Sequence, residues 1–369
     1  MEYQPEDVSK VLDPTLGPAN NYLEDLIQTY SINFPFKKAK TIIKSHDDGL
    51  QVILTGSTGY LGYYFLKALI ADSKVARIIC FNRSEAEKDF VAEFGNLDDA
   101  QKFQFVKASF DEPRFGLEPA IHQSFLESID VILHNAWAVD FNLPIESFEK
   151  VHIVGVRNCI DWSLLSPRKV TIQFMSSLGS LASWPSFRPK TPVSEQAAEI
   201  HGISVDVLRC GQIGGPAVDG KKQWDAWDWF PILLQTSKAL ELVPSDLGSQ
   251  DLVQWIPADI VTQIIVELMH GSDMREGLTT FNLVNPRFAK WSDLVPGVKQ
   301  LLGVAKEVSL ELKKHDATSK YELQNFPALK LLGFLEWLTN EERLVMITEN
   351  AQAASPSFRD LSPIDDEMI

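Results

Sequence analysis

The chain is poor in cysteine, short of positive charge and without a long apolar run. Its three cysteines, Cys80, Cys159 and Cys210, each sit inside an apolar stretch, none at metal-ligand spacing from another. That excludes a disulfide framework and a thiolate metal centre, and implies buried thiols in a reducing compartment. Lys and Arg number 34 against 50 Asp and Glu, a formal charge of −16. The one loose basic cluster, Lys37, Lys38, Lys40 and Lys44, is too small for the phosphate neutralisation that carries nucleic-acid affinity, and reads as a solvated helix face. No stretch approaches the roughly 18 uninterrupted apolar residues of a membrane span. The N-terminal "MEYQPEDVSKVLDP" is acidic where a secretory signal is basic and then apolar. A cytoplasmic location, no nucleic-acid partner and no membrane association are expected. Neither a G-x-S-x-G elbow nor an H-E-x-x-H pair occurs, which disfavours a hydrolase.

What is present is a regular alternation of strands and helices. Apolar strands read at 51–56, 77–82, 102–108, 130–136 and 170–177, with helical patterns at 23–30, 60–71, 86–94, 120–128 and 148–163. This rhythm implies a parallel sheet with right-handed crossovers, a doubly wound α/β fold of Rossmann type that binds its ligand at the carboxyl ends of the strands. Three regions are expected: a leader and lead-in helix over 1–45, a dinucleotide-binding Rossmann domain over 46–215, and a smaller substrate lobe over 216–369 that returns to the sheet around 253–285.

The stretch "TGSTGYLG" places Gly56, Gly59 and Gly62 between the first strand and the first helix of the sheet. Glycines there admit positive φ and let backbone N–H groups approach a pyrophosphate, which then lies at the positive end of the helix dipole. No Lys-Ser/Thr follows the last glycine, so a Walker-type loop is disfavoured. The second strand ends "CFNRS" rather than in an acid. Asn82 does not repel a 2′-phosphate and Arg83 can clamp one, which favours NADP(H); the plainer reading of Arg83 is an exposed strand end.

Taken together, "LTGSTGYLGYYFL", "FNRS", "VILHNAWAVDFNLPIESFE", "SSLGSLASW", "VDVLRCGQIGGP", "WFPILLQTSKAL" and "VQWIPADI" resemble an extended short-chain dehydrogenase/reductase. More closely, they resemble the thioester reductase domains of fungal nonribosomal-peptide-synthetase-like, adenylate-forming reductases. The resemblance implies NADPH-dependent reduction to an aldehyde of an acyl thioester carried on the phosphopantetheine arm of a carrier domain, with an upstream adenylation and carrier protein as partner. It assigns Gly56, Ser57, Thr58, Gly59, Tyr60, Leu61, Gly62 and Arg83 to the cofactor, with His134, Asn135 and Ala136 beside it. Trp137 and Phe141 would face the substrate channel, and Ser177 would help polarise the carbonyl. Gln212 with Trp224, Trp227 and Trp229 would line the acyl pocket. For the tryptophans, lobe packing is an equal alternative; for Ser176 and Ser177 it is a turn cap.

Two features depart from the family pattern. Ala108-Ser109 stands where Gly-Asp usually holds the adenine, which implies a weakened adenine pocket. The second departure is a missing tyrosine. Hydride addition builds charge on a carbonyl oxygen, and in this superfamily the donor aimed at it is a Tyr paired with a Lys one helical turn on. The seven tyrosines are Tyr3, Tyr22, Tyr30, Tyr60, Tyr63, Tyr64 and Tyr321, and none lies between the serine pair and "VDVLR". Tyr63 and Lys67 have the spacing on the pyrophosphate helix, out of reach of a substrate. A helix of about 20–30 residues is absent between Glu195 and Gln196, more than a trimmed loop, since a whole crossover takes at least about 10–12. This corresponds to a shortened gene model or splice form, or to a lost acid catalyst. Lys190 and His201 are the nearest substitutes, and the alternative function is an inactive pseudo-reductase that holds NADPH or an acyl carrier.

Overall fold

A computed structural model describes residues 18–41, 49–83, 102–139, 143–198, 202–218, 222–224, 226, 228–309, 328, 331, 335 and 343–365. The apolar runs become one eight-stranded sheet. Its strands are β1 (Leu50–Thr55), β2 (Val75–Asn82), β3 (Phe103–Lys107), β4 (Val131–His134), β5 (Thr171–Ser177), β6 (Ala197–Ala198), β7 (Ser204–Cys210) and β8 (Gly277–Leu283). They lie in the order β3-β2-β1-β4-β5-β7-β8-β6, all parallel except the β8–β6 pair at the edge. The strand order reverses between β1 and β4, which opens the ligand crevice beyond their carboxyl ends. Each strand read from the sequence is present with its ends moved by a residue or two. The helical pattern at 86–94 lies outside the described residues.

The helices used below are α1 (Pro18–Tyr30), α2 (Tyr60–Ala71), α3 (Pro119–Leu126), α4 (Val154–Leu165), α5 (Trp229–Leu240), α6 (Ala258–Met269), α7 (Trp291–Leu302) and α8 (Glu349–Ala354). On one face of the sheet, α2 and α6 pack Phe65, Leu66, Ile264 and Ile265 on Val52, Leu54, Leu133, Leu208 and Phe281. On the other, α3 and α4 set Phe125, Cys159 and Trp162 on Ile53, Ile79, Ile132 and Ile172. Each such side chain removed from water contributes about 1.5–3 kcal/mol. A third cluster, around Trp229, Phe230, Trp255, Trp291 and Val298, is built by α5 and α7. Among the described residues no helix is long and apolar enough to cross a membrane.

The basic cluster departs from the expected solvated helix face. Residues 33–41 carry no helix. They run along α4, where the Lys40 ammonium donates to the carbonyls of Ser163 at 2.6 Å and Ser166 at 3.0 Å. Carbonyls at a helix C-terminus have no intrahelical donor and carry its negative dipole end, so a cation is held there. Burial, with Lys37 nearby, pulls the Lys40 pKa down to about 8. Lys44 lies outside the described residues.

The connection from β5 to β7 has no full crossover helix. After β5 come a 3-10 turn, Leu178–Leu181, and a four-residue helix, Trp184–Phe187. The chain then travels to the far edge of the sheet, where Gln196 N donates to Thr280 Oγ1 at 2.6 Å and β6 pairs with β8. It returns to insert β7 between β5 and β8. The consequence shows in β7 itself: Ser204, Asp206, Leu208 and Cys210 are buried beneath α6, whereas Val205, Val207 and Arg209 on the opposite face are only half-buried.

Candidate functional site

The glycine turn ends β1 and starts α2. Gly56 sits at φ +71°, and a Cβ there would lie 3.0 Å from the Ala136 Cα. At Gly62 a Cβ would come within 2.0 Å of the Gly56 carbonyl oxygen, so no side chain fits. At Gly59 it would meet only that oxygen, at 3.5 Å, and otherwise point into open space. Gly59 is the N-cap of α2 and no side chain caps the helix, so first-turn N–H groups around Tyr60, Leu61 and Gly62 face that space. This cradle fits a dinucleotide pyrophosphate. It is braced from the segment after β7: Tyr60 donates its hydroxyl to the Gly214 carbonyl at 3.0 Å, and Lys222 donates to the Thr58 carbonyl at 2.8 Å.

Asn82 is buried and its amide nitrogen donates to Ser57 Oγ at 2.9 Å, so it holds the turn to the end of β2 rather than facing a ribose. Arg83 is exposed and makes no hydrogen bond or ion pair among the described residues. Burial lowers the pKa of His152, its bond to the Ala136 carbonyl raises it, and the charge of Arg83 lowers it again. Ala108 is buried at the end of β3, its N–H given to the Asn82 carbonyl at 2.9 Å.

A residue that sequence reading missed organises the next segment. Thr55 Oγ1 accepts the N–H groups of both Asn135 and Ala136 at 3.0 Å. Its own proton therefore goes to His134 Nδ1, 3.1 Å away, which leaves the imidazole proton on Nε2. That Nε2 is buried with no partner among the described residues. Burial, then the charge of His152, lowers the His134 pKa to about 4, and the ring stacks on Phe174 at 6.0 Å. His134 is thus a neutral prop behind the Asn135-Ala136 turn that faces Gly56.

Trp137 is 38% exposed. It stacks on Phe148 at 5.9 Å and meets Phe174 edge-on at 6.0 Å, forming an aromatic wall beside the turn. Phe141 and Trp227 lie outside the described residues, as does His201. Ser177 is exposed at the end of β5, where its oxygen accepts the Gly179 N–H at 3.1 Å; this is the turn-capping arrangement, and its hydroxyl proton stays available to an acceptor. Gln212 is committed to the lobe: it accepts from Trp229 Nε1 at 2.7 Å and donates to the Ile213 carbonyl at 2.9 Å. Trp224 in turn donates to Asp228 at 2.9 Å.

No hydrogen bond joins Ser177 to a described tyrosine: Tyr22 and Tyr30 donate to the Glu149 carboxylate, Tyr60 to the Gly214 carbonyl and Tyr64 to that of Lys222. Tyr63 is in the core while Lys67 is exposed, so that pair is split between two environments. Tyr3 and Tyr321 lie outside the described residues. Lys190 is exposed on a loop at φ +56°. Among the described residues no group of three or more His, Cys, Asp or Glu is placed to hold a metal. Sequence reading also passed over Arg209; the available signal was a lone cation in register with two valines on one face of a strand.

Comparison with known proteins agrees with this geometry. Residues 54–196 match the family model described as Male sterility protein, an NAD-binding domain. A carboxylic acid reductase of Neurospora crassa is 29% identical over 86% of this chain and 33% of its own length. The adenylate-forming reductase Nps11 of Serpula lacrymans is 29% identical over 94% of this chain and 37% of its own. The chain thus spans about a third of these relatives. Among solved structures, the terminal R domain of the myxalamid PKS-NRPS pathway superposes with a TM-score of 0.72 at 21% identity, covering 94% of this chain and 95% of that one. The R domain of a nonribosomal peptide synthetase from Mycobacterium tuberculosis gives 0.62 at 18%, covering 93% and 91%. The chain is thus similar to Male sterility protein over residues 54–196 and to carboxylic acid and adenylate-forming reductases over most of its length, and it has the fold of nonribosomal-peptide-synthetase terminal reductase domains.

Proposed function

We propose that the protein binds NADP(H) in the glycine cradle and reduces an acyl thioester, presented on the phosphopantetheine arm of a carrier domain, to an aldehyde. The observation that carries the reading is the open face at Gly59 together with the unpaired Arg83 at the end of β2. The cradle N–H groups of residues 57–62 would take the pyrophosphate and Arg83 a 2′-phosphate. The Asn135-Ala136 turn, propped by Thr55 and His134, would fix the nicotinamide end. Bound NADPH supplies a hydride. Trp137 would flank the acyl group and Ser177 would give one hydrogen bond to its carbonyl oxygen. Residues 216–369 would serve as the substrate lobe, with Gln212 setting its aromatic wall rather than touching the acyl chain.

NADPH should bind more tightly than NADH, and Arg83→Ala should remove most of the difference, a charge-assisted bond contributing about 1.5–3 kcal/mol. Fluorescence titration of both cofactors measures this, and equal affinities in the unmutated chain would contradict it. The lack of a described tyrosine bonded to Ser177 favours a second reading, a pseudo-reductase that holds the cofactor with little turnover. Loss of a donor aimed at the charged oxygen costs about 10²–10³ in rate, so reduction of a pantetheine thioester should fall below about 1 s⁻¹. Stoichiometric NADPH binding without any aldehyde would establish the pseudo-reductase.

A further inference from the structure

Along the half-open face of β7 stand Val205, Val207 and Arg209. Arg209 is the last of this row, at the carboxyl end of the strand, where a doubly wound sheet binds its ligands. Its register neighbours are Ser176 of β5 and Asn282 of β8. Two residues back on the same face, Val207 is paired with Phe174, the ring that meets Trp137 edge-on. Arg209 therefore borders the aromatic wall on the side where β5 and β7 lack a full crossover helix.

Its surroundings set it apart from other half-buried arginines. Arg168 and Arg275 each hold a carboxylate, Asp130 and Asp206, at 2.6 Å, and Arg77 and Arg343 donate to the side-chain oxygens of Gln104 at 3.1 Å and Gln254 at 2.6 Å. Arg209 has no hydrogen bond or ion pair among the described residues, and no neighbouring charge perturbs it; burial alone lowers its pKa. The Ser176 hydroxyl beside it has no described partner, and the Asn282 Oδ1 on its other side is buried and unsatisfied. A guanidinium half withdrawn from water without a carboxylate is poised for an incoming acceptor.

We propose that Arg209, with the Ser176 hydroxyl beside it, takes the role given above to Ser177, whose register partner Cys210 lies on the opposite face, and binds the carbonyl oxygen of the thioester as that oxygen becomes negatively charged. This rests on the reductase reading above and deepens it. Hydride adds to the carbonyl carbon and the C=O π pair moves onto oxygen. The C=O bond then re-forms as the C–S bond breaks and its pair leaves on sulfur, and the thiolate takes a proton from water. The two electrons come from the nicotinamide cofactor. The oxygen begins and ends as a carbonyl, so it needs a donor while charged and no proton at any point. A guanidinium, which keeps its protons at all working pH, meets that need. Reduction onward to an alcohol would leave an alkoxide with no leaving group to expel, whose proton would also come from water.

Two measurements on the purified full chain test this. The first is calorimetric binding of S-carboxymethyl-pantetheine, which sets a carboxylate one carbon beyond the position of the acyl carbonyl, against the neutral S-(2-hydroxyethyl) analogue. Arg209→Ala should weaken the carboxylate about tenfold or more while leaving the neutral analogue and NADPH unchanged. The second is single turnover of acetyl-pantetheine at saturating NADPH. Arg209→Ala should slow it about 10²–10³-fold, with Arg209→Lys between, and a hydrazine trap should recover the aldehyde. Equal carboxylate binding by the two proteins or unchanged turnover would overturn the proposal. Failure to bind NADPH, or binding it without any turnover, would overturn the reductase reading instead, with the carboxylate comparison still judging Arg209. Should Arg209→Ala unfold, Arg209→Lys and Ser176→Ala carry the same comparison.

Discussion

At the scale of the residue, the site depends on a hydroxyl that no motif pointed to. Thr55 is fully buried and serves two backbone N–H groups and one imidazole nitrogen. Thr55→Val keeps the shape, removes the partner of both N–H groups and leaves the imidazole Nδ1 with only the Cys159 thiol, 3.8 Å away. It should cost at least about 1–3 kcal/mol in urea unfolding and weaken NADPH binding, while Thr55→Ser should recover most of both. A variant as stable as the wild type would show that the Asn135-Ala136 turn holds itself. The glycines of the cradle were legible in the sequence because positive φ and close backbone approach admit few other residues. Asn82 and Gln212 were not, since a polar side chain's partner is a tertiary fact: Asn82 looked outward on paper and is turned in to Ser57, and Gln212 is turned to Trp229.

At the scale of the element, the strands were readable because parallel sheets buried on both faces demand continuous apolar runs. The route from β5 to β7 was not. The sequence places no helical stretch between Glu195 and Gln196, and says nothing of where the chain goes there. Both sides of that point are pinned to β8. The Glu195 carboxylate accepts from Asn282 N at 3.1 Å and, at the start of α8, from Asn350 N at 2.6 Å; Gln196 bonds Thr280. A second carboxylate, Glu267 of α6, holds the segment after α8 through Ser355 Oγ at 2.6 Å and Ser357 N at 3.0 Å. The two differ in sign. For Glu195, burial outweighs the hydrogen bonds and raises the pKa above 4.5. Its protonated form suits the fold, so its contribution is full below 4.5 and falls as pH rises through the folded value. For Glu267, burial is outweighed by the serine bonds and the pKa falls below 4.5, so its contribution is present above 4.5 and lost as pH drops through the folded value. At pH 7, Glu267→Gln should therefore destabilise more than Glu195→Gln, and its deficit against wild type should shrink below about pH 4.5. Denaturant titrations at pH 7 and pH 4 measure both, and a deficit for Glu267→Gln that grew on acidification would reverse the assignment.

At the scale of the whole molecule, the fold divides into a half with local partners and a half with distant ones. β1 to β4 pair with one another, while α2 waits for α6, β7 for β8, and Glu195 for backbone groups 155 and 156 residues further on. Contacts of such separation form late, because loop-closure entropy must be met before they reward it. During synthesis the dinucleotide cradle would take shape while the Arg209 side of the sheet is still open. It is completed only when residues 343–365 arrive, with Val193 bonded to Val345 and Ile347. A chain ended before residue 343 should lose the cooperative unfolding of the intact protein and bind an exposed-surface dye while still showing sheet by circular dichroism. Full cooperativity in that shortened chain would mean the two halves are energetically separate. The edge excursion that replaces a crossover helix thus turns the far end of the polypeptide into a closing stitch, and assigns the order in which the two sides of the crevice can exist.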